Sequence, residues 1–263
     1  MSSDAAMPSL QKWEPRRLAD LRASELDNVE LHYWLLPLQQ STAVLGDLAE
    51  SLSADELARA SRFHFERDRQ HFIAARGLLR RLIGHYAGKP ADSIRFRANA
   101  YGKPGIETQA GPESLEFNLS HSGDWAFAAF ARGTKVGVDI EQMRNMPDMI
   151  GIAEDNFSAG EVASLKALPA ERQADGFFSC WTRKEAYVKA VGLGLSLDLK
   201  TFDVSVEPSH NANEIRTPET GSTFRIEGLR PFPGYWAATA AETREIVAPP
   251  LTGRLSKYFA LAT

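Results

Sequence analysis

The chain is organised around the stretch FFSCWTRKEAYVKAVGLGL, residues 177–195, which predicts a helix with a carboxylate on its apolar side. At about 100° per residue, Phe178 lies about 60° and Glu185 about 40° from Trp181, so Glu185 falls within the apolar arc. A carboxylate that faces a protein core requires an ion pair, hydrogen bonds or a bound cation. The partner of Glu185 therefore decides what this helix does.

The composition indicates a globular protein. Its 263 residues, 43% hydrophobic and 24% charged, suffice for one large domain or two small ones. The net charge of −4 argues against bulk attraction to nucleic acid or to anionic membranes. The single cysteine, Cys180, excludes an internal disulfide and a cysteine-based zinc site, and we expect it to fill space in the core.

Targeting and membrane segments are not recognisable in the sequence. The start, MSSDAAMPSLQKWEPRR, has no apolar run behind a basic end, in contrast to a signal peptide. No stretch approaches the ~20 apolar residues that cross a bilayer. We therefore expect a cytoplasmic protein without a membrane partner.

Two series of helices and strands follow each other along the chain, which favours two similar halves joined near Thr134. Ser-x-x-Glu capping boxes at Ser53 and Ser158 predict two helix starts, and Gly192 and Gly194 predict the end of the helix that carries Glu185. We expect the helical regions and strands of the first series at residues 29–38, 53–88, 93–98, 115–119 and 125–131. In the second series we expect strands at 136–141, 202–206, 224–226 and 236–240, and a hairpin loop at 207–222.

A pair of carboxylates lies on one face of the strand at residues 136–141. Side chains alternate along a strand, so Asp139 and Glu141 point to the same side. Such a face can simply be solvated. Together with Glu185 on a facing helix, however, these hard oxygen ligands would suit a Mg²⁺ site completed by water and a substrate phosphate.

Two lysines flank Glu185 on the predicted helix. Lys189 follows Glu185 by one turn, so it can form an ion pair with Glu185 on the helix surface or serve a phosphate near a metal. Lys184 lies at the edge of the apolar arc, where it can extend to solvent or reach a ligand.

Further polar residues cluster in two other places. The segment FNLSHSGDW, residues 117–125, contains Ser120 and His121, which can form turn hydrogen bonds or donate to a phosphate. The first helical region is rich in arginine, which can be solvated or serve a polyphosphate. These arginines are Arg59, Arg62, Arg67, Arg69, Arg76, Arg80 and Arg81. No Walker loop, dinucleotide glycine motif, serine-hydrolase elbow or His-Glu-x-x-His accompanies them.

Four segments in sequence together resemble the Sfp-type 4′-phosphopantetheinyl transferases, enzymes that load carrier proteins of nonribosomal peptide, polyketide and related pathways. The segments are YGKP at residues 101–104, FNLSHS at 117–122, VGVDIE at 136–141 and WTRKEAYVK at 181–189. Their order and spacing match over residues 59–236, which is most of the chain. One such motif alone would be weak, whereas four in order are specific.

The resemblance implies an α+β fold, a monomeric pseudo-dimer of two similar α+β halves with the active site in the cleft between them. The N-terminal half, residues 1–134, would bind coenzyme A, and the C-terminal half, residues 135–263, would bind metal and carry out catalysis. The implied activity is of the holo-[acyl-carrier-protein] synthase type. It transfers 4′-phosphopantetheine from coenzyme A to a serine of an apo acyl or peptidyl carrier protein, with Mg²⁺ or Mn²⁺, and releases 3′,5′-ADP.

The same resemblance implies roles for individual residues, with Glu185 and Lys189 catalytic. Asp139, Glu141 and Glu185 would hold the metal. Lys189 and Lys184 would neutralise the pyrophosphate, Ser120 and His121 would contact phosphates, Gly102, Lys103 and Pro104 would line the adenine, and Arg59 and Arg76 would bind the 3′-phosphate. Glu56 is a departure, because some members carry a lysine there for that phosphate.

Chemistry at the site requires a base for the attacking serine hydroxyl, and Glu185, directly or through a metal-bound water, is the nearest candidate. We expect residues 156–176, with Leu165 and Leu168, either to receive the carrier protein or to pack their own half. Two other functions remain open at this point: a metal-dependent phosphohydrolase acting on coenzyme A or a related pyrophosphate, and a non-catalytic protein that binds coenzyme A or a carrier.

Overall fold

Six α-helices and eleven strands are present in the computed structural model, which describes residues 14–16, 31–107, 111, 114–209, 212–217, 220–243 and 255–260. The helices are α1 (Thr42–Glu50), α2 (Ala54–Ala60), α3 (Glu66–Ala87), α4 (Met149–Asn156), α5 (Ala159–Ala167) and α6 (Ala170–Val191). The strands are β1 (Glu14–Arg16), β2 (Leu31–Pro37), β3 (Phe96–Ala98), β4 (Pro104–Ile106), β5 (Leu115–Ser122), β6 (Trp125–Arg132), β7 (Val136–Gln142), β8 (Ala212–Arg216), β9 (Thr223–Leu229), β10 (Tyr235–Thr243) and β11 (Leu255–Ala260).

The strands form two main sheets and one hairpin. The five-stranded sheet has the order β1-β11-β2-β6-β5, and the four-stranded sheet has the order β7-β10-β9-β8. Strands β3 and β4 pair with each other. Strand β11 runs parallel to its neighbours β1 and β2, whereas β2, β6 and β5 pair antiparallel. Strands β5 and β7 are therefore edge strands of different sheets.

The two sheets lie between two layers of helices, because alternating side chains of each sheet serve two cores. In β6, Ala128 and Phe130 belong to the core under α1 and α3, while Phe127 and Ala129 belong to the core shared with the other sheet. Strands β9 and β10 contribute to a third core with α4, α5 and α6. The expected α+β pseudo-dimer of two halves is confirmed, with the sheets back to back at its centre.

Several local predictions are confirmed by the backbone. Ser53 and Ser158 each accept a hydrogen bond from the amide three residues on, and Glu56 and Glu161 complete both capping boxes. Gly192, with φ of 80°, ends α6 in the left-handed conformation that glycine favours. Cys180 is fully buried, as expected for a core residue.

Two expectations about the second half differ from the structure, and one of two open alternatives is decided for Leu165. Residues 202–206, predicted as a strand, form none, and part of their backbone bonds to buried side chains of α5 and α6 instead. The described part of 207–222, predicted as a hairpin loop, contains the edge strand β8. Leu165 packs its own half because it is fully buried, and Leu168 is partly buried.

The division of the chain at residue 134 falls in the turn between β6 and β7. Strand β11 nevertheless lies in the five-stranded sheet, beside β2. A boundary drawn along the sequence therefore separates the helices but not every strand. Within the described ranges, no helix combines the length and the apolar character needed to cross a membrane.

Candidate active site

The long helix α6 places Glu185 and Lys189 on the same side, one turn apart. Most of the neighbouring side chains on this helix are buried, whereas Trp181, Glu185 and Lys189 are only partly buried. The predicted apolar arc around Trp181 is thus the least buried row along this part of the helix. Glu185 and Lys189 of this row line a cleft, which explains how a carboxylate can lie on the aromatic side of the helix.

A glycine brings the helix close to the strand that carries the other carboxylates. A Cβ at Gly137 would overlap the carbonyl oxygen of Ala186 and the amide nitrogen of Ala190. Since side chains alternate along β7, Asp139 and Glu141 point to the same side as Gly137, towards α6. The absence of a side chain at Gly137 therefore sets the distance between the carboxylates of β7 and the ionised residues of α6.

Lys189, Asp139 and Ser120 form a hydrogen-bonded triangle between the two halves. The Lys189 ammonium donates to Asp139 Oδ1 at 2.6 Å and to Ser120 Oγ at 3.0 Å, and Ser120 Oγ donates to the same Asp139 oxygen at 2.8 Å. Asp139 is buried, and its Oδ2 lacks a hydrogen-bond partner within the described part of the chain. Lys189 thus pairs with Asp139. The helix spacing alone had also allowed an ion pair between Lys189 and Glu185.

The edge strands β5 and β7 are joined by side chains at every second residue of β5. The Asn118 side-chain oxygen accepts from the Val138 amide at 2.9 Å, and Ser122 Oγ donates to Glu141 Oε2 at 2.7 Å. Asn118 and Ser122 were not identified from the sequence as site residues. Their spacing of two from Ser120 was the signal that could have found them, because such residues share a strand face.

Two of the carboxylates in the cleft, Glu185 and Glu141, have raised pKa values. Burial raises the pKa of Glu185, and the charges of Asp139 and Glu141 add to this, although Lys189 acts against it. Burial also raises the pKa of Glu141, opposed by the hydrogen bond from Ser122. Negative charge is therefore costly in this cleft, and both groups hold protons more strongly than ordinary glutamates.

His121 follows Ser120 on β5 and is exposed. Shielding of its ring from water lowers its pKa, and the charge of Lys189 and the nearby His71 lower it further. The imidazole of His121 is therefore mainly neutral at pH 7 and can donate one hydrogen bond. Its position beside the Lys189 ammonium suits contact with an anion.

A cavity of about 600 Å³ opens next to these residues, between the halves. Of the predicted site residues, Gly102, Lys103, Pro104, Glu185 and Lys189 line it. The sequence analysis gave the rest of its lining no role in the site. This lining comes partly from the ends of α4 and α6 and from the segment that follows α6. These residues are Tyr101, Asn118, Leu119, Asp155, Asn156, Val188, Gly192, Gly194, Leu197, Asp198 and Leu199.

The turn between β3 and β4 is fastened to the C-terminal half. The Lys103 ammonium donates to the carbonyls of Val136 at 3.0 Å and Ala190 at 3.1 Å, and the Asn99 amide donates to Gly192 O at 2.9 Å. Burial lowers the pKa of Lys103 to about 8. Lys103 thus lines the cavity with its stem while its charged end joins the two halves.

The position of Lys184 contradicts its predicted role at the pyrophosphate. Its side chain is fully buried on another side of α6, where its ammonium pairs with Glu161 at 2.7 Å. It also donates to two backbone carbonyls of the following segment, at Leu199 and Phe202. In this position it cannot reach a phosphate in the cavity, because all of its N–H groups are used inside the protein.

The arginines proposed for the 3′-phosphate lie on the helices of the N-terminal half. Arg59 is exposed and stacks over the ring of Phe72 at 5.3 Å. Arg76 forms an ion pair with Glu56 at 2.7 Å, and Arg80 bonds to the other oxygen of the same carboxylate. Neither Arg59 nor Arg76 is among the described residues that line the cavity.

The carboxylates can accept a divalent cation, although they are not gathered in advance. Within the described ranges, no group of three or more His, Cys, Asp or Glu side chains is close enough to hold a metal. Two observations still fit a cation. Asp139 Oδ2 is buried without a partner, and the pKa values of Glu141 and Glu185 are raised in a way that a positive charge would relieve.

Comparisons with known proteins agree with this geometry. The family described as the 4′-phosphopantetheinyl transferase superfamily matches residues 135–240, and the N-terminal region of a 4′-phosphopantetheinyl transferase matches residues 39–132. The first match contains the carboxylates and α6, and the second contains Ser120, His121 and the turn at Lys103.

Three relatives illustrate the similarity. The 4′-phosphopantetheinyl transferase HetI of Nostoc sp. is 39% identical over 70% of this chain and 77% of its own. A 4′-phosphopantetheinyl transferase of Bacillus pumilus is 34% identical over 81% of this chain and 92% of its own. The 4′-phosphopantetheinyl transferase Sfp of Bacillus subtilis (strain 168) is 32% identical over 72% of this chain and 82% of its own.

Proposed function

The chain belongs to the 4′-phosphopantetheinyl transferase superfamily, and we propose how its residues carry out that transfer. The protein moves the 4′-phosphopantetheine group of coenzyme A to a carrier protein. A serine Oγ of the carrier forms a bond to phosphorus, the bond from phosphorus to 3′,5′-ADP breaks, and the serine proton passes to a base. The observation that carries the proposal is the triangle of Lys189, Asp139 and Ser120 beside the cavity.

The pyrophosphate of coenzyme A binds at Lys189, Ser120 and His121. Lys189 is 28% exposed on its side chain and lines the cavity, so its ammonium can turn from Asp139 towards a phosphate. The Ser120 hydroxyl adds a donor beside Lys189, and the neutral His121 ring adds one from the opposite face of β5. Charge neutralisation of this kind contributes most where negative charge moves onto the leaving oxygen.

Asp139, Glu141 and Glu185 would hold a magnesium ion, with manganese as an alternative that also suits oxygen ligands. When bound, the ion would offset the charge of the pyrophosphate and of the departing 3′,5′-ADP. Asp139 Oδ2, which has no hydrogen-bond partner among the described residues, can serve as a ligand while Oδ1 keeps its bond to Ser120. The hydrogen bond from Ser122 orients Glu141 towards the same side of β7.

Glu185 is the proposed base. It lines the cavity, and its raised pKa makes it a better proton acceptor than an ordinary glutamate. Lys189, one turn along α6, can stabilise the phosphate that the serine attacks while Glu185 holds the proton. The catalytic pair is therefore Glu185 and Lys189, and both belong to one helix.

The turn at Gly102, Lys103 and Pro104 would line the adenine, since these residues form one wall of the cavity. Arg59 is the better candidate for the 3′-phosphate, because it is exposed and none of its described contacts is an ion pair. Arg76 would have to share its charge with Glu56. The proposed reaction is of the holo-[acyl-carrier-protein] synthase type, on an acyl or peptidyl carrier. The proposal includes that the protein acts as a cytoplasmic monomer.

The deciding experiment is the intact mass of apo carrier proteins of several types after incubation with this protein, coenzyme A and Mg²⁺. We expect the carrier to gain one phosphopantetheine group, and the Lys189→Met variant to lose most of this activity. Lys135→Met, a half-exposed lysine outside the cavity and outside residues 156–176, is the matched control. Absence of a mass gain on every carrier type would overturn the proposal.

The phosphohydrolase alternative finds no support among the relatives. The same experiment also separates it from the transferase, because hydrolysis would release phosphopantetheine into solution without any gain in carrier mass. Chromatography of the small-molecule products detects both outcomes in one sample.

A further inference from the structure

The buried ammonium of Lys184 is held by three acceptors. It lies 2.7 Å from Glu161 Oε2, 2.7 Å from the carbonyl oxygen of Leu199 and 2.7 Å from that of Phe202. The Phe202 ring also lies against it, with the ammonium 4.4 Å from the ring centroid. A lysine has three N–H donors, so this group is fully satisfied without water.

Glu161 completes the connection from the other side. Its Oε2 accepts from the Ser158 amide at 2.8 Å, which starts α5, and its Oε1 accepts from the Val204 amide at 2.7 Å. Glu161 is buried like its partner. One ion pair between Lys184 and Glu161 therefore joins α5, α6 and the backbone between residues 199 and 204.

We name residues 197–204 the wall segment, because Leu197, Asp198 and Leu199 line the cavity. The segment contains the short 3₁₀ helix Leu199–Thr201 but no strand, so a sheet ladder does not fix its backbone. Its carbonyls at 199 and 202 and its amide at 204 instead bond to Lys184 and Glu161. The position of this part of the cavity wall depends on side chains that never contact the cavity.

The energetics argue for a role beyond stability. Removing two charges from water is costly, and neutral residues of similar volume in place of a buried ion pair often give equal or greater stability. The pair does, however, select one arrangement of an irregular segment, since a displaced wall would leave a buried charge unpaired. This kind of selection preorganises a binding site and lowers the cost of binding.

We propose that Lys184 and Glu161 are positioning residues for coenzyme A: they hold the wall segment in place so that the cavity is formed before the substrate enters. The inference rests on the assignment of this cavity to coenzyme A. Lys184 thus contributes to the affinity for coenzyme A through the wall segment, and not to the chemical step at phosphorus.

The test uses the double variant Lys184→Met/Glu161→Gln, which removes both charges and leaves neither one unpaired. We expect the KM for coenzyme A to rise about tenfold while kcat at saturation stays within about twofold, because binding is lost and the chemistry is kept. Amide exchange gives a second readout. The Val204 N–H should exchange faster in the double variant, in the absence of any substrate.

Ile226→Ala is the matched control for a purely structural effect. Ile226 is fully buried in the core of the same half, and truncating a residue of this kind lowers the stability of the fold. Well below its melting temperature, this variant should keep the wild-type KM and a protected Val204 amide.

The results separate this inference from the assignment of function. If the wild-type protein transfers no phosphopantetheine, the proposed function fails. If the wild type is active and the folded double variant keeps the wild-type KM, the positioning role is overturned while the function stands. A fall in kcat at unchanged KM would also overturn it, because that result assigns Lys184 to the chemical step. If the double variant does not fold, unchanged exchange of Val204 in the single variant Glu161→Gln would contradict the proposal.

Discussion

Ser122 and Glu141 belong to edge strands of different sheets, yet the hydroxyl of Ser122 donates to the carboxylate of Glu141 across 2.7 Å. The same hydroxyl accepts from the Gln142 amide at 3.0 Å. Ser122 therefore fixes both the backbone and the carboxylate at this end of β7. One side chain of the N-terminal half thus orients a proposed metal ligand of the C-terminal half.

Replacing Ser122 with alanine should weaken the binding of Mg²⁺ that supports activity. Without the Ser122 hydroxyl, Glu141 loses a hydrogen-bond donor that lowers its pKa. The Glu141 carboxylate then binds protons more strongly and is less available to a cation. Hydrogen bonds to charged groups contribute about 1.5–3 kcal/mol, so we expect kcat/KM to fall by about tenfold or more. Titration of activity against Mg²⁺ should show a higher half-saturating concentration. Ser114→Ala, which removes a serine bond to Glu116 at the start of β5, should leave both values unchanged. Equal behaviour of the two variants would disprove the orienting role.

Gly137→Ala should separate α6 from β7. The added Cβ would overlap backbone atoms of α6 at Ala186 and Ala190, and backbone cannot move aside as a flexible side chain can. We expect the free energy of unfolding to fall by about 1–3 kcal/mol or more, and we expect activity to be lost. Thermal melting and the carrier assay check both effects. Gly105→Ala in β4 is the control, because its Cβ would meet nothing closer than 3.9 Å. A Gly137→Ala protein with wild-type melting and activity would refute the close-approach argument.

Glu185→Gln should abolish turnover and stabilise the protein without substrate at neutral pH. The folded pKa of Glu185 is raised above its unfolded value. A carboxyl group of this kind favours the folded state most below its unfolded pKa and loses that contribution as the pH rises through the folded pKa. The variant should therefore melt higher by a few degrees near pH 7, since ~1 kcal/mol corresponds to about 2–4 °C in proteins of this size.

The gain from Glu185→Gln should shrink as the pH falls towards about 4, because the wild-type carboxyl is then protonated. Glu171→Gln, on the exposed first turn of the same helix, should give no gain at any pH. A melting difference that is independent of pH would show that charge burial at Glu185 is not its cause.

Lys103→Met should change the alkaline pH dependence of stability. An unfolded lysine titrates near 10.5, whereas burial lowers the pKa of Lys103 to about 8 in the folded protein. Between these values the unfolded chain binds more protons, so the free energy of unfolding gains a contribution that rises with pH. Urea unfolding at several pH values across this window should show the rise in the wild type and in Lys200→Met, an exposed control. The rise should be absent in Lys103→Met, and its persistence there would contradict the assigned pKa.

Much of the site could be predicted from residue patterns within single strands and helices. The alternation along β7 places Asp139 and Glu141 on one face, and the helical period places Lys189 one turn after Glu185. Both relations depend only on backbone geometry within a single element. The capping boxes at Ser53 and Ser158 follow for the same reason, because each is complete within four residues.

The remaining features depend on contacts between distant parts of the chain. Lys184 could be placed at the edge of a helical arc, but its partner Glu161 belongs to another helix and its carbonyl partners to an irregular segment. The hydrophobic residues at 202–206 suggested a strand. In the structure, backbone groups of this segment form hydrogen bonds to the side chains of Lys184 and Glu161 and not to a neighbouring strand. Strand β8 was missed because, as an exposed edge strand, it has few apolar residues.

The pairing of β11 with β2 has a consequence for the order of folding. Leu255 pairs with Leu31, so more than two hundred residues separate two neighbouring strands of the five-stranded sheet. During synthesis the N-terminal half emerges from the ribosome first, with the edge of β2 still open, and it must wait for almost the whole C-terminal half before that edge closes. Chaperones that shield open strand edges would therefore act on this half during translation, and a fragment cut near residue 134 would keep the edge exposed.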